Sequence, residues 1–170
     1  CFEITGKDGT IVFDPYQANS VPGLNSLKLK ANLVLCSHEH DDHNARNCVE
    51  VAPKDFKVTC IETYHDHHQG SHRGKNTIHI VDFENLKVVH MGDIGCMMDD
   101  VSKLKNCDVL MIPIGGYYTI DTKEALKYIE RIQPRIVIPM HYHSHEFGYD
   151  VLSTNEEFIQ QSSSVTYVDD

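Results

Sequence analysis

The sequence predicts an α+β fold in which two β-sheets pack face to face with helices on the outside. Two observations carry that expectation. Strand-like runs outnumber helices early in the chain, and strands and helices alternate later. A third points to function: a His-rich run follows directly on an apolar strand. At 170 residues and 41% hydrophobic, the chain fits one domain spanning 1–170, with enough apolar side chains for a core.

The elements follow in order. Phe2 to Thr5 and Ile11 to Phe13 read as two strands joined by the turn Gly6-Lys7-Asp8-Gly9, and Asp14-Pro15 ends the second. Residues 17–30 show no periodicity, contain Pro22-Gly23 and read as loop. Asn32 to Ser37 reads as a continuous apolar strand buried on both faces. A short helical stretch is expected after His43, through about Cys48. Phe56 to Thr63 alternates as a strand, and the polar, glycine-punctuated stretch 65–76 is loop. Thr77 to Phe83 and Leu86 to Met91 form a hairpin around Glu84-Asn85. Val101 to Leu104 reads as a short helix, and Val109 to Ile112 as an apolar strand.

The clearest helix covers about Thr122 to Ile132. Asp121 is its cap and Glu124 completes a capping box. Ala125, Leu126, Ile129 and Ile132 form its apolar face, and Pro134 follows its end. Arg135 to Met140 is a strand. A last helix near Asn155 to Gln161, capped by Ser153 or Thr154, and a final strand around Val165 to Val168 complete the expectation. There is no internal repeat, linker or low-complexity segment.

The most informative residues are Ser37-His38-Glu39-His40-Asp41-Asp42-His43, the pattern H-x-H-x-D-H. Imidazole and carboxylate are ligands that zinc and similar divalent metals take. One short loop cannot wrap all four ligand groups around a single ion. It can set His38 and His40 on one side and Asp42 and His43 on the other, which suits two adjacent metals.

This pattern resembles the signature of the metallo-β-lactamase superfamily. The resemblance extends through Glu62-Thr63-Tyr64-His65-Asp66, then His90-Met91-Gly92-Asp93, then Ile138-Pro139-Met140-His141, and so covers most of the chain. Arg73-Gly74-Lys75-Asn76-Thr77-Ile78, Gly92-Asp93-Ile94-Gly95, Pro113-Ile114-Gly115-Gly116-Tyr117-Tyr118-Thr119 and Pro139-Met140-His141-Tyr142 look like the branch that holds ascorbate-6-phosphate lactonase-like proteins. The chain departs from the pattern at its start: it begins without Met at what reads as mid-strand, so a shortened first edge strand is expected.

The resemblance implies a four-layer αβ/βα sandwich, the metallo-β-lactamase fold, with a dinuclear metal site. His38, His40 and His65 would bind the first metal, and Asp42, His43 and His141 the second, with Asp93 bridging. It implies a metal-dependent hydrolase that attacks an ester, lactone or phosphodiester with a hydroxide shared by the ions. Asp42 is the expected catalytic residue, orienting that hydroxide or carrying a proton. The expected cofactors are two divalent ions, zinc first, with manganese or iron as alternatives. The alternative function is a metal-binding scaffold or regulatory protein of the same fold, favoured by a chain short enough to leave little to enclose a substrate. Two relatives of the fold fit less well. Flavodiiron reductases carry Glu where His40 stands, and no residue here marks the cationic group that true β-lactamases often use.

Bulk properties bound the partners. The formal net charge is −10 and no Lys/Arg-rich block is present, so nucleic acid is not expected as a partner. Two bound divalent ions would add about four positive charges at the site itself. No apolar run approaches the roughly 20 residues needed to span a bilayer. The six cysteines at 1, 36, 48, 60, 96 and 107 form no C-x-x-C pair. Cys36 and Cys60 lie in apolar runs and read as buried reduced thiols in a cytoplasmic protein, and Cys96 is a structural thiol close to Asp93. A small-molecule substrate is the expected partner, and the branch resemblance allows a homo-oligomer.

Twelve histidines exceed the needs of two metals. His67, His68 and His72 are expected to face solvent or substrate, His90 to be buried, and His79 to face outward between Ile78 and Ile80. For His143 and His145, contact with an anionic group at the site mouth and a surface position fit equally. Tyr117, Tyr118 and Tyr142 fit either the pocket wall or the core.

Overall fold

The computed structural model describes residues 1–168. The first hairpin forms as its two-glycine turn requires: β1 (Phe2–Gly6) pairs antiparallel with β2 (Gly9–Phe13). After a long loop come β3 (Leu29–Ala31) and β4 (Leu33–Leu35), and β4 pairs parallel with β2. The expected strand Asn32–Ser37 is therefore shorter than its apolar run. It is also half-buried rather than buried on both faces, because β4 lies at the edge of a three-stranded sheet. The helical stretch after His43 is a single 3₁₀ turn, Arg46–Cys48, followed by β5 (Val49–Val51), which pairs with β3.

The larger sheet holds β6 (Lys57–Tyr64), β7 (Lys75–Phe83), β8 (Leu86–His90), β9 (Val109–Pro113) and β10 (Ile136–Met140), in the order β10-β9-β8-β7-β6. Glu84 and Asn85 both have positive φ, the pair of left-handed residues that a tight two-residue hairpin turn needs. β8, β9 and β10 are parallel, and β6 runs with them because β7 is antiparallel to both β6 and β8. The C-terminal ends of β6, β8 and β10 thus lie along one edge of the sheet.

The two sheets pack face to face. Ile11 and Phe13 of β2 meet Val81, Phe83, Val88 and Met111 in one buried cluster between them. The other face of the large sheet is covered by α1 (Thr122–Ile132) and α2 (Glu156–Gln161), with Ala125, Tyr128, Ile132 and Phe158 against Ile78, Ile80, Val89, Leu110 and Ile112. On the far side of the small sheet, Val12 packs on Ala31 and Val49.

Helix α1 follows its sequence signals closely. The Asp121 side chain accepts from the Glu124 N–H and the Glu124 side chain from the Asp121 N–H, closing the capping box. Its buried face includes Tyr128, which the apolar pattern does not reveal. The Tyr128 hydroxyl donates to the Cys96 carbonyl at 2.9 Å and accepts from the Met98 N–H at 2.8 Å. Tyr128→Phe should therefore leave two backbone groups unpaired and cost about 1–3 kcal/mol. The urea midpoint measures this, and an unchanged midpoint would show those groups satisfied elsewhere.

Several expectations are corrected. Val101–Leu104 is a turn anchored by Asp100, whose carboxylate accepts from the Ser102 N–H, and the run is too short to nucleate a helix. Residues 165–168 take no ladder pairing among the described residues, so the apolar run there is not a strand. The cap of α2 is Asn155, not Ser153 or Thr154, and it makes no side-chain cap bond. His79 is buried, because β7 is covered on both faces and alternation there does not report exposure. Cys60 is exposed on the edge strand β6. All six cysteines are free thiols, and burial pushes the half-buried Cys36 thiol up to about 12. No helix among the described residues is long and apolar enough to cross a membrane.

Candidate metal centre

Five strands deliver their next residues to one place. Asp14 follows β2, Ser37 and His38 follow β4, His65 follows β6, Asp93 follows β8 and His141 follows β10. Asp14 and His141 both sit in the left-handed region, at φ 47° and 54°. That conformation is uncommon outside glycine and here turns each side chain out of its strand direction.

Asp93 is the centre of the arrangement. Its Oδ2 lies 3.1 Å from His141 Nε2, 3.3 Å from His65 Nε2, 3.4 Å from His43 Nε2 and 3.9 Å from His38 Nε2. Four imidazoles from three parts of the chain, the loop after β4 and the ends of β6 and β10, thus converge on one buried carboxylate. Burial alone would push the Asp93 carboxyl up, but His141 and His43 outweigh it and hold the group well below the ordinary range.

Asp14 aims two of these rings, a role that sequence reasoning missed. Its Oδ1 accepts from the Ser37 N–H at 2.6 Å, and its Oδ2 from the Ser37 hydroxyl at 2.6 Å and from His43 Nδ1 at 2.9 Å. Ser37 has given its only hydroxyl proton to Asp14, so it accepts from His38 Nδ1 at 2.9 Å. The proton on His38 is then on Nδ1, and the Nε2 lone pair faces the centre. His65 is set the same way, with Nδ1 donating to the Tyr118 carbonyl at 3.1 Å. The only sequence signals for this support are a carboxylate at the end of β2 and a hydroxyl residue just before His38.

The proton affinities fit these roles. Burial lowers His38 to about 4, so it is neutral and its Nε2 is free at pH 7. Burial also works against a proton on His43, but Asp93, Asp14 and Asp42 outweigh it and hold that imidazole well above its usual value. Carboxylates that hold a proton there would hold a cation there. In Asp14, burial is likewise outweighed, by His90 and by the His43 and Ser37 bonds, and the carboxyl is held far below its usual range.

Backbone packing fixes Asp93. The Asn76 side chain accepts from the Asp93 N–H at 2.8 Å and donates to Thr63 Oγ1 and the Met91 carbonyl, both at 2.9 Å. Gly92, at φ +57°, packs against it: a Cβ there would lie 2.3 Å from Asn76 Oδ1 and 2.5 Å from Ser37 Cβ. Glycine is needed at 92 for that approach as well as for the backbone angle. Asp66 organises the neighbouring loop, accepting from the N–H groups of His68, Gly70, His72 and Arg73. Its pairing with His65 in sequence thus reflects loop building.

Six of the seven expected ligand residues form two triads whose ligand atoms lie within 4.8 Å of one another: His38, His40 and His65, then His43, Asp93 and His141. Asp42 stands beside the second triad, its Oδ2 3.5 Å from His43 Nε2. A third grouping, Asp14, His38 and His43, meets the same distance limit. It is already tied by hydrogen bonds through Nδ1 and Ser37, and we read it as the support of the other two. Three nitrogens, or two nitrogens and a carboxylate, suit a zinc-like ion. The buried atoms without a hydrogen-bond partner among the described residues include His38 Nε2 and Asp93 Oδ1, as expected of atoms that would ligate metal, and the His141 Nδ1 on the far side of its ring.

The other histidines separate clearly. His67, His68 and His72 are exposed, and none belongs to either triad. His90 is buried, stacked on Phe13 at 5.0 Å, and burial lowers it to about 4. His143 lies 3.4 Å from the exposed Asp150, and His145 is exposed. Tyr118 stands edge-on to His141 at 6.4 Å, whereas Tyr117 is exposed.

Known proteins resemble this chain along most of its length. Residues 1–141 match the family model described as the beta-lactamase superfamily domain. A metal-dependent hydrolase from Natranaerobius thermophilus is 29% identical over 180 residues, covering 85% of this chain and 80% of that protein. One from Staphylothermus marinus is 29% identical over 190 residues, covering 84% and 80%. Among solved structures, a proposed Zn-dependent hydrolase of the metallo-β-lactamase superfamily from Thermotoga maritima superposes with a TM-score of 0.72 at 26% identity, covering 96% of this chain and 82% of that one. A metallo hydrolase from Ignicoccus hospitalis, at 18% identity and a TM-score of 0.65, shares the fold.

Proposed function

Because this chain belongs to the metallo-β-lactamase superfamily and has the fold of its metal-dependent hydrolases, we propose that it hydrolyses a small ester, lactone or phosphodiester with two divalent ions, zinc first among them. The observation that carries the proposal is the convergence of four imidazole Nε2 atoms within 3.9 Å of the Asp93 carboxylate. His38, His40 and His65 would hold one ion, and His43, His141 and Asp42 the other, with Asp93 between them. Divalent ions so held would lower the pKa of a bound water from about 15.7 to about 7 and polarise the bond under attack.

The chain's own residues supply the rest. Asp14, Ser37 and the Tyr118 carbonyl fix the three rings they touch, so little reorganisation is needed when substrate arrives. Asp42 faces the cavity beside the centre. Burial pushes its carboxyl up, but the hydrogen bond and charge of His43 outweigh that and leave it below its usual range. It is therefore an ionised base at neutral pH, placed to take a proton from the attacking water and return it to the departing oxygen. The motifs that resemble the ascorbate-6-phosphate lactonase-like branch support a lactone within this range.

The test is turnover by protein loaded with zinc or manganese on a panel of lactones, esters, thioesters and phosphodiesters. Metal-dependent hydrolysis of one class, abolished by chelation and restored by metal, is the expected result. Full metal loading with no turnover of any class would instead mark a metal-binding scaffold.

A further inference from the structure

The cavity beside the candidate centre is built by two loops that the metal site does not account for. In the loop after β2, Val21, Leu24 and Leu27 are half-buried among exposed neighbours. After β10, Phe147 and Tyr149 are half-buried and Leu152 is buried. The loops are fastened to each other. The Gly148 N–H donates to the Pro22 carbonyl at 3.0 Å, and the Tyr149 hydroxyl donates to the Ser20 carbonyl. Gly23, at φ +81°, approaches so closely that a Cβ there would sit 1.8 Å from the Glu146 carbonyl oxygen.

These six side chains line a cavity of about 620 Å³ that also touches Asp42, His43, Asp93 and His141. That volume lies within the roughly 300–1,000 Å³ of small-molecule sites. No Lys or Arg side chain lines it among the described residues. A distal anionic group on a substrate would be desolvated there without a counter-charge, which is costly, whereas an apolar chain would leave water for a matching wall.

Resting on the hydrolase reading above, we propose that the substrate is an uncharged carboxylic ester or lactone with an apolar chain, held between the loops 17–28 and 142–153. The proposal concerns the end of the cavity between these loops, not the end lined by Cys1–Glu3. In the reaction, water adds its oxygen to the acyl carbon and the acyl C–O bond breaks. One water proton passes by way of Asp42 to the departing alcohol oxygen, and the products are a carboxylic acid and an alcohol.

The test has two readouts. The first is kcat/KM of zinc-loaded protein on p-nitrophenyl esters from acetyl to octanoyl, and on γ-lactones with alkyl arms of matching length. We expect about a two- to fourfold rise per methylene, up to the full transfer value of a buried methylene. A p-nitrophenyl ester ending in a free carboxylate should fall at least about tenfold below its uncharged equal, the charge being left unpaired. Leu24→Glu, at a half-buried wall position, should flatten the chain-length slope with the fold intact by circular dichroism. The second readout is calorimetric titration of metal-free protein with octanamide and acetamide, where octanamide should bind more tightly. A flat series, a preference for the carboxylate ester or a phosphodiester, or equal binding of the two amides would overturn the proposal while leaving the hydrolase reading standing. If no ester, lactone, thioester or phosphodiester is turned over, the hydrolase reading fails, and the calorimetric preference alone decides whether the pocket is an apolar-chain site.

Discussion

Asp93→Ala should abolish binding of at least one metal ion and remove most activity, while the fold survives. The carboxylate is the common neighbour of four imidazoles. Losing a group that merely supports a ligand typically costs about 10–100-fold in metal affinity or activity, and losing a shared ligand should cost more. The backbone should hold, because Asn76 binds the main-chain N–H of residue 93, which alanine retains. Circular dichroism would confirm the fold, and elemental analysis would read the metal. Unchanged metal content and rate in this variant would remove Asp93 from the site.

Asp14→Asn is the second large effect, although position 14 would not touch the metals. Asparagine tolerates the positive φ found there, so the change tests the acceptor oxygens and the charge rather than the backbone. One oxygen becomes an NH₂ donor, facing His43 Nδ1–H or the Ser37 hydroxyl and N–H. Donors would then meet donors. His43 would be free to carry its proton on Nε2, where it could no longer ligate, and the ring orientation of His38 would loosen through Ser37. Metal affinity should fall about 10–100-fold with the fold intact. Competition against a chelating dye measures this directly, and native affinity in the variant would show that the hydrogen bonds at Asp14 do not tune the site.

The parts of the site that were legible in sequence are those that chemistry concentrates in a short stretch. H-x-H-x-D-H names four ligand-type residues within six positions, and no hydrophobic pattern explains them. His65, Asp93 and His141 were legible through their place after strand-like runs and the family resemblance, and the structure does bring them to one edge. Asp14 was hidden because a carboxylate before proline at a strand end reads as a turn, and its bonds to residues 37 and 43 cross the gap between two strands. Asn76 was hidden for the same reason: its partners at 63, 91 and 93 come from three separate segments.

In the fold, local signals survived and tertiary ones did not. The capping box at Asp121 and the hairpin turn at Glu84-Asn85 are decided by neighbouring residues, and both form as expected. His79 and Cys60 depend on which strand lies inside the sheet and which at its edge, which alternation alone cannot say. The two wall loops had no periodicity to read, yet they form much of the cavity, so the short chain encloses more space than its length suggested.

The most direct test of the two-metal account is the number of ions bound at saturation. Protein purified without chelator and equilibrated with zinc should approach two ions per chain by elemental analysis, one for each triad. His65→Ala and His141→Ala should each take that number towards one. A firm ceiling of one ion in the unmodified protein at saturating metal would contradict the account, because one of the two triads would then be only a hydrogen-bonded cluster.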